Sequence, residues 1–171
     1  KLKNKAMDLK YKAPCGSWKS PITSDKITSS KIKLGDLAVS GGGVFWTELR
    51  PQEGGRSVIV KWCKNEKTDS LPPGFSARSR VHEYGGGAFL IHNEIAFFSN
   101  DTDQHFYAAY PNGQWIDLTR SDTKRYANPI FDAYRNCIYA IEEDHENEHN
   151  VINRLVKIDP EGKKEVEVLH E

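Results

Sequence analysis

The chain has 171 residues and no formal net charge, since 24 Lys and Arg balance 24 Asp and Glu. Its length suits a single domain, and its neutrality excludes the sequence-wide basic excess of a dedicated nucleic-acid binder. No apolar run approaches the ~20 residues that a membrane-spanning helix needs, and the first residues show no signal-peptide pattern. We therefore expect neither nucleic acid nor a membrane as a partner.

The chain opens with a basic stretch. The first 33 residues hold nine lysines against two acidic residues, Asp8 and Asp25. Charge runs of this kind are usually solvated. We predict that residues 1–31 form a basic N-terminal arm and that the folded part covers residues 32–171.

From residue 32 onward the pattern is typical of strands. Short runs of β-branched and aromatic residues alternate with turn residues. No segment longer than ten residues keeps a helical period, so we expect few helices. Pro111-Asn112-Gly113 and Pro160-Glu161-Gly162 lie 49 residues apart, and each stands between two candidate strands. The spacing indicates a degenerate repeat of about 48 residues with four strands in each unit, which is typical of a β-propeller blade.

We predict an all-β protein, a partial β-propeller with three four-stranded blades near residues 32–73, 84–120 and 126–170. Propellers close with about 4–8 blades, so three blades leave two sheet faces uncovered. The blades therefore belong to an incomplete propeller in a longer chain, or copies of this chain assemble as a homo-oligomer. A single β-sandwich would also fit the length, but it gives no reason for the repeat.

The cysteines and one histidine motif are the candidates for metal or redox chemistry. Cys15, Cys63 and Cys137 lie far apart without a Cys-x-x-Cys pair, which predicts reduced thiols and a cytoplasmic location. A zinc-peptidase pattern, His-Glu-x-x-His, occurs at His145, Glu146 and His149. That chemistry needs a helix, whereas these residues lie between two strand-like runs. We predict a polar hairpin loop, no metal site and no cofactor.

Four motifs carry a family resemblance. In chain order they read Gly-Ser-Trp-Lys-Ser-Pro-Ile-Thr over residues 16–23, Arg-Pro-Gln-Glu-Gly-Gly-Arg over 50–56, Arg-Val-His-Glu-Tyr-Gly-Gly-Gly-Ala over 80–88, and Glu-Asp-His over 143–145 followed by Val-Lys-Ile-Asp over 156–159. They resemble the acylaminoacyl-peptidase and dipeptidyl-aminopeptidase-like branch of the prolyl oligopeptidase family of serine peptidases. The resemblance implies a seven-bladed N-terminal propeller that covers a C-terminal α/β-hydrolase domain and limits access to peptide substrates.

The resemblance assigns no catalytic residue here. The hydrolase nucleophile sits in a Gly-x-Ser-x-Gly elbow, and the sequence contains none. We therefore predict a non-catalytic portion that gates and selects peptide substrates for the hydrolase domain. The alternative is a stand-alone binding or interaction module without peptidase activity.

Two charged clusters are candidate substrate-binding sites. The first cluster is Glu48, Arg50, Glu53 and Arg56, in a loop where a carboxylate would pair with a peptide's amino terminus and an arginine with a carboxylate. Its alternative is a solvated hairpin with weak ion pairs. The second cluster is Arg80, His82, Glu83 and Tyr84. Its alternative is a structural network at a blade junction, with His82 hydrogen-bonded to a nearby carboxylate.

Overall fold

The structure, a computed structural model, describes residues 12–17, 20–24, 26, 31–147 and 149–171. The chain divides into two units, Lys1–Ser30 and Lys31–Glu171. Most of the predicted basic arm lies outside the described residues, as do Trp18 and Lys19 of the first motif. The second unit contains all twelve strands described below.

The strands form three antiparallel sheets, each with its four strands side by side in chain order. Sheet 1 contains β1 Lys33–Ser40, β2 Gly43–Arg50, β3 Arg56–Cys63 and β4 Glu66–Asp69. Sheet 2 contains β5 Phe89–His92, β6 Ile95–Ser99, β7 Phe106–Ala109 and β8 Trp115–Asp117. Sheet 3 contains β9 Lys124–Asp132, β10 Cys137–Asp144, β11 Ile152–Ile158 and β12 Glu167–His170. The predicted all-β fold of four-stranded blades is confirmed.

Tight turns explain why adjacent strands pair. β1 and β2 are joined by Gly41 and Gly42, with φ of +58° and +76°. β3 and β4 are joined by Lys64 and Asn65, also with positive φ. Two-residue turns with both residues in this conformation match the twist of antiparallel strands. The two Pro-x-Gly turns join the third and fourth strands of sheets 2 and 3.

Strand β9 begins ahead of the predicted start at residue 126. Lys124 and Arg125 look unlike strand residues in the sequence, but they pair with Asp144 and Glu143 of β10. Cross-strand pairs of opposite charge stabilise an antiparallel ladder. The strand is therefore extended by partners that are distant in the sequence.

Sheet 2 is packed on both faces. Phe98 and Tyr107 face sheet 1, in a core with Phe45 and Ile59. Alternate residues of the same strands face sheet 3, in a core formed by Phe97, Phe106, Ala108, Leu118, Tyr126, Ile138, Ala140, Val156 and Ile158. Strands buried on both faces read as continuous apolar runs, which is why β6 and β7 lack polar alternation.

Sheets 1 and 3 each carry apolar side chains on the face turned away from sheet 2. Leu37 and Val39 of sheet 1 are exposed, as are Ile130 and Leu155 of sheet 3. Exposed apolar faces of this kind mark interaction surfaces. None of the described residues forms a helix that is both long and apolar enough to cross a membrane.

Candidate functional site

The segment between sheets 1 and 2, residues 80–88, contains a strained turn. His82 and Glu83 have φ of +55° and +60°, a left-handed conformation that is uncommon outside glycine and costs roughly 1–2 kcal/mol per residue. Backbone hydrogen bonds close the turn, from the Glu83 N–H to the Arg80 carbonyl and from the Gly85 N–H to the Val81 carbonyl. The buried Val81 side chain anchors it to the core.

A buried carboxylate on sheet 3 holds the turn in place. Glu143 of β10 accepts hydrogen bonds from the His82 backbone N–H at 3.0 Å and lies 3.1 Å from His82 Nδ1. Its other oxygen lies 2.8 Å from His145 Nε2. Buried carboxylates must be paired to remain charged. Glu143 therefore joins the turn to sheet 3, and His82 is hydrogen-bonded to a carboxylate as the structural alternative expects.

Arg125 of β9 forms a second connection. Its Nη1 donates to Glu83 Oε1 at 2.6 Å and to the Arg80 carbonyl at 3.0 Å. The hydrogen bond from Arg125 lowers the pKa of Glu83 below its ordinary value. The Arg80 side chain points elsewhere and donates to Asp101. The structure thus brings His82 and Glu83 together with residues of sheet 3. The Arg80 side chain, bound to Asp101 instead, forms no hydrogen bond with Glu143 or Arg125.

The glycines of the same motif allow the backbone to approach its neighbours closely. A Cβ on Gly85 would lie 2.8 Å from the Ser79 carbonyl oxygen, and a Cβ on Gly87 would lie 3.0 Å from Asn128 Oδ1. The Gly87 N–H donates to that same oxygen at 2.7 Å, and the Asn128 N–H donates to the Gly87 carbonyl. Gly86 and Gly87 therefore allow close packing against Ala127 and Asn128 of β9, whereas Gly85 allows a close approach to Ser79.

The turn presents three side chains to solvent. Tyr84 is 97% exposed, and the His82 side chain is more than half exposed. Glu83 is also open to solvent and leaves Oε2 free of the Arg125 bond. An aromatic ring beside a carboxylate can contact an apolar side chain and a positive charge together.

The first cluster forms a closed network on sheet 1. Arg50 makes five hydrogen bonds, to Glu48, Glu53 and Asp69, which is as many as a guanidinium has N–H groups. Arg56 donates to Glu53 and to the Phe75 carbonyl. These charged groups bind one another, and because the Glu48 side chain is only 3% exposed, the network differs from the solvated hairpin with weak ion pairs that was the alternative.

Glu48 is the buried centre of that network. Burial alone would raise the pKa of Glu48, but bonds from Lys67, Trp46 and Arg50 lower it below its ordinary value. Trp46 Nε1 and Lys67 Nζ both lie within 3.0 Å of Oε1. Asp69 in turn has its pKa lowered, chiefly by the Arg50 hydrogen bonds. The carboxylates are held charged without an external ligand.

The zinc-peptidase pattern does not form a helix in the part of the chain that the structure describes. His145 follows β10 and contacts Glu143, while His149 lies in the exposed turn before β11. Among the described residues no group of three or more His, Cys, Asp or Glu side chains is arranged to hold a metal ion. The geometry that zinc chemistry requires is therefore not formed by these residues.

Sequence reasoning did not assign a role to the residues that position the second cluster. Arg125, Glu143 and Asn128 lie 41 to 61 residues beyond their partners. The sequence does single out Glu143, because it is an acidic residue at the end of an apolar run and belongs to the fourth motif. Its partner was not visible, because the packing of sheets 2 and 3 decides it.

Comparison with known proteins gives the class of this fold. No protein-family model matches the sequence, and no curated protein matches it significantly. Among solved structures, a puromycin-hydrolysing peptidase of Mycobacterium tuberculosis is similar, with a TM-score of 0.79 and 27% identity over 91% of this chain. Puromycin hydrolase is similar with a TM-score of 0.80 and 26% identity over 93% of this chain, both alone and as a mutant complexed with PGG.

The three sheets are therefore blades of a peptidase-type β-propeller. The predicted resemblance to the N-terminal propeller of prolyl oligopeptidase family enzymes is confirmed by these solved structures. The chain spans 27% of the length of each of those peptidases.

Proposed function

We propose that this chain is the propeller portion of a serine peptidase, and that it gates and selects substrates for an α/β-hydrolase domain. The observation that carries the proposal is the likeness to puromycin-hydrolysing peptidases over more than nine-tenths of the chain. Because the sequence contains no Gly-x-Ser-x-Gly elbow, the catalytic nucleophile is assigned to residues outside this sequence.

Within the propeller, the substrate contact is assigned to the second cluster. Tyr84 and Glu83 stand open to solvent on a turn whose backbone is held by Glu143 and Arg125. A rigidly held loop that presents exposed side chains suits recognition. The first cluster is a poorer candidate, because its carboxylates and guanidinium groups are already paired with one another.

The chemistry of the exposed pair indicates a substrate class. Puromycin is an aminoacyl amide that carries a free α-amine and an aromatic side chain. The Glu83 carboxylate can pair with such an amine, and the Tyr84 ring can pack against an aromatic or apolar side chain. We therefore propose that the parent enzyme prefers free amino termini to acylated ones.

The test compares two tyrosines in the full-length protein that contains this chain. Tyr84→Ala should raise KM for an aminoacyl p-nitroanilide several-fold, since a buried aromatic contact contributes about 1 kcal/mol. Tyr134→Ala is the matched control, because Tyr134 is 92% exposed in the turn between β9 and β10. Equal kinetics in Tyr84→Ala and wild type would remove Tyr84 from the site.

A second comparison tests recognition of the amine. Glu83→Gln should raise KM for free aminoacyl substrates and leave KM for their N-acetylated forms unchanged. An equal rise for both forms would mean that Glu83 acts only through Arg125 on the fold. If the full-length protein hydrolyses neither form, the peptidase function is wrong and a binding module becomes the better hypothesis.

The remaining expectations from the sequence stay predictions. They are the division into a basic arm at residues 1–31 and a propeller part at 32–171, docking onto a hydrolase domain, self-association and a cytoplasmic location. Docking and self-association are supported by the exposed apolar faces of sheets 1 and 3. The size of the native protein tests self-association and attachment to a hydrolase domain, and cell fractionation tests the cytoplasmic location.

A further inference from the structure

Two histidines flank the carboxylate that holds the exposed turn. Glu143 Oε1 lies 3.1 Å from His82 Nδ1, and Glu143 Oε2 lies 2.8 Å from His145 Nε2. The Glu143 side chain is only 5% exposed, so its charge depends on these partners more than on water. Histidine is the side chain whose charge ordinarily changes between pH 5 and 8. The charge of this cluster therefore changes in that range.

His145 reaches Glu143 because alternate residues of an extended strand project to the same face. It directly follows β10, and its backbone N–H continues the ladder by donating to the Thr123 carbonyl at 2.8 Å. The His145 side chain is 19% exposed and that of His82 is 58% exposed. Both imidazoles can therefore exchange protons with water while the fold stays closed.

The charges around the turn leave one negative charge in excess when both histidines are neutral. Glu83 and Glu143 are the carboxylates, and Arg125 is the cation that both approach, at 2.6 and 3.9 Å. Arg80 also acts on Glu83, but Asp101 offsets its charge at 3.0 Å. Protonation of both histidines would change the excess to one positive charge.

The charge of His145 also reaches the carboxylate that we assign to the substrate amine. Arg125 is the main cause of the lowered pKa of Glu83, and the positive charge of His145 adds to it. Because its pKa is lowered, Glu83 stays ionised in the range where histidines titrate. A cation beside Glu83 opposes the approach of a second cation. Protonated His145 therefore weakens the attraction of Glu83 for an ammonium group.

Protonation of the histidines should not release the turn. A charged imidazole forms a stronger hydrogen bond to a carboxylate than a neutral one does, so Glu143 keeps its contact with the His82 backbone. The backbone that carries Tyr84 then stays in place, and only the charge beside Glu83 changes. The effect should be confined to substrates that carry a positive charge.

We propose that His82 and His145 make the selection of free amino termini depend on pH, because neutral imidazoles favour a cationic substrate and charged imidazoles oppose it. The inference rests on the proposed recognition of the substrate amine by Glu83. It makes His145 a positioning residue, which acts through Glu143 and through its own charge without touching the substrate.

The test is the ratio of kcat/KM for a free aminoacyl p-nitroanilide to kcat/KM for its N-acetylated form. It is measured on the full-length protein at pH 7 and pH 5. A catalytic group that titrates in this range affects both substrates and cancels in the ratio. Protonation of the substrate amine would raise the ratio in acid, so it cannot imitate a fall. We expect the wild-type ratio to fall up to about fivefold, which is the range that exposed ion pairs provide.

Variants that keep a hydrogen-bond donor but do not titrate isolate the two histidines. His145→Gln places an amide nitrogen where Nε2 stands, and His82→Asn places one where Nδ1 stands and tolerates the left-handed backbone. Each should reduce the fall in acid, and the double variant should abolish it. His145→Ala loses the donor to Glu143 and should instead lower the ratio at pH 7. If His145→Gln does not fold, His82→Asn carries the same test, because both imidazoles contact Glu143.

A matched control separates these histidines from general charge. His149 lies in the exposed turn before β11, four residues beyond His145, and His149→Gln should keep the wild-type fall. Equal effects of His149→Gln and His145→Gln would overturn the proposal. So would a wild-type ratio that does not fall in acid, or an equal fall in the double variant, and the proposed peptidase function would then still stand. If the full-length protein hydrolyses neither substrate, the proposed function is wrong and this inference fails with it.

Discussion

Replacing Arg50 with methionine removes the guanidinium that joins three carboxylates on sheet 1 while it keeps most of the aliphatic side chain. Glu53 and Asp69 are each more than a third exposed, so water can replace their lost bonds at little cost. Glu48 is different, because its side chain is only 3% exposed. The destabilisation should therefore come almost entirely from Glu48.

The size of this destabilisation depends on which hydrogen bonds the Glu48 carboxylate keeps. Its Oε2 loses both bonds from Arg50, at 3.1 and 3.2 Å, whereas Oε1 keeps Trp46 and Lys67. Removing one partner of a buried ion pair costs roughly 3–5 kcal/mol. Because one cation remains, we expect the lower end, about 3 kcal/mol of unfolding free energy.

Urea unfolding followed by tryptophan fluorescence measures this loss. Arg135→Met is the control, because Arg135 pairs with Asp132 on the exposed surface and should contribute little. In a Glu48→Gln background no buried charge is left, so Arg50→Met should be less harmful there, with a coupling of at least about 1 kcal/mol. Additive effects, or a loss below about 1 kcal/mol for Arg50→Met alone, would refute the reasoning.

The same network makes stability depend on pH. Because the pKa of Glu48 is lower in the fold than in the unfolded chain, its contribution is complete above the unfolded value. It is lost as the pH falls through the folded value. Urea midpoints of the wild type should therefore drop in acid, and Arg50→Met should show a smaller drop.

Two further predictions concern the close contact between Gly85 and the Ser79 carbonyl, and the pKa of His105. Gly85→Ala should destabilise the protein more than Gly113→Ala, as urea midpoints would show. Both glycines have φ near +83°, but a Cβ on Gly85 would lie 2.8 Å from the Ser79 carbonyl oxygen, whereas nothing lies within 4 Å at Gly113. Equal losses would contradict a steric role for that approach. For His105, burial lowers the pKa but Asp117 and other carboxylates outweigh it, so the pKa is raised. The stabilisation that this gives is complete below the unfolded pKa and is lost as the pH rises through the folded value. An NMR titration should place the His105 midpoint above the ordinary histidine value, and Asp117→Asn should lower it; a midpoint that does not move would exclude Asp117 as the cause.

Much of the fold could be predicted because it depends on local patterns. The turns at Gly41-Gly42 and at Pro111–Gly113 are set by residues that tolerate or fix particular φ values. The repeat of about 48 residues reflects one four-stranded unit used three times. The start of β9 at Lys124 could not be predicted in this way, because its pairing with Asp144 depends on a residue 20 positions away.

The candidate site was predictable only as a set of residues. The motif at residues 80–88 pointed to His82, Glu83 and Tyr84. The neighbouring residues in the chain do not predict which of these side chains is exposed to solvent. Exposure decides that, and exposure depends on how sheet 3 packs beside the segment. The same holds for the first cluster, where the sequence shows charges but not that Arg50 has bonded them to one another.

The strands, the turns, the repeat and the likeness to peptidase propellers could all be predicted from the amino-acid sequence, because each depends on the order and spacing of residues along the chain. The packing of the sheets was needed to show that Glu143 and Arg125 hold the exposed turn, and that Arg50 is bonded to Glu48, Glu53 and Asp69. The physical reason is that most of these contacts join residues on different strands or sheets. Their distances and burial are set by sheet packing, which no local pattern encodes.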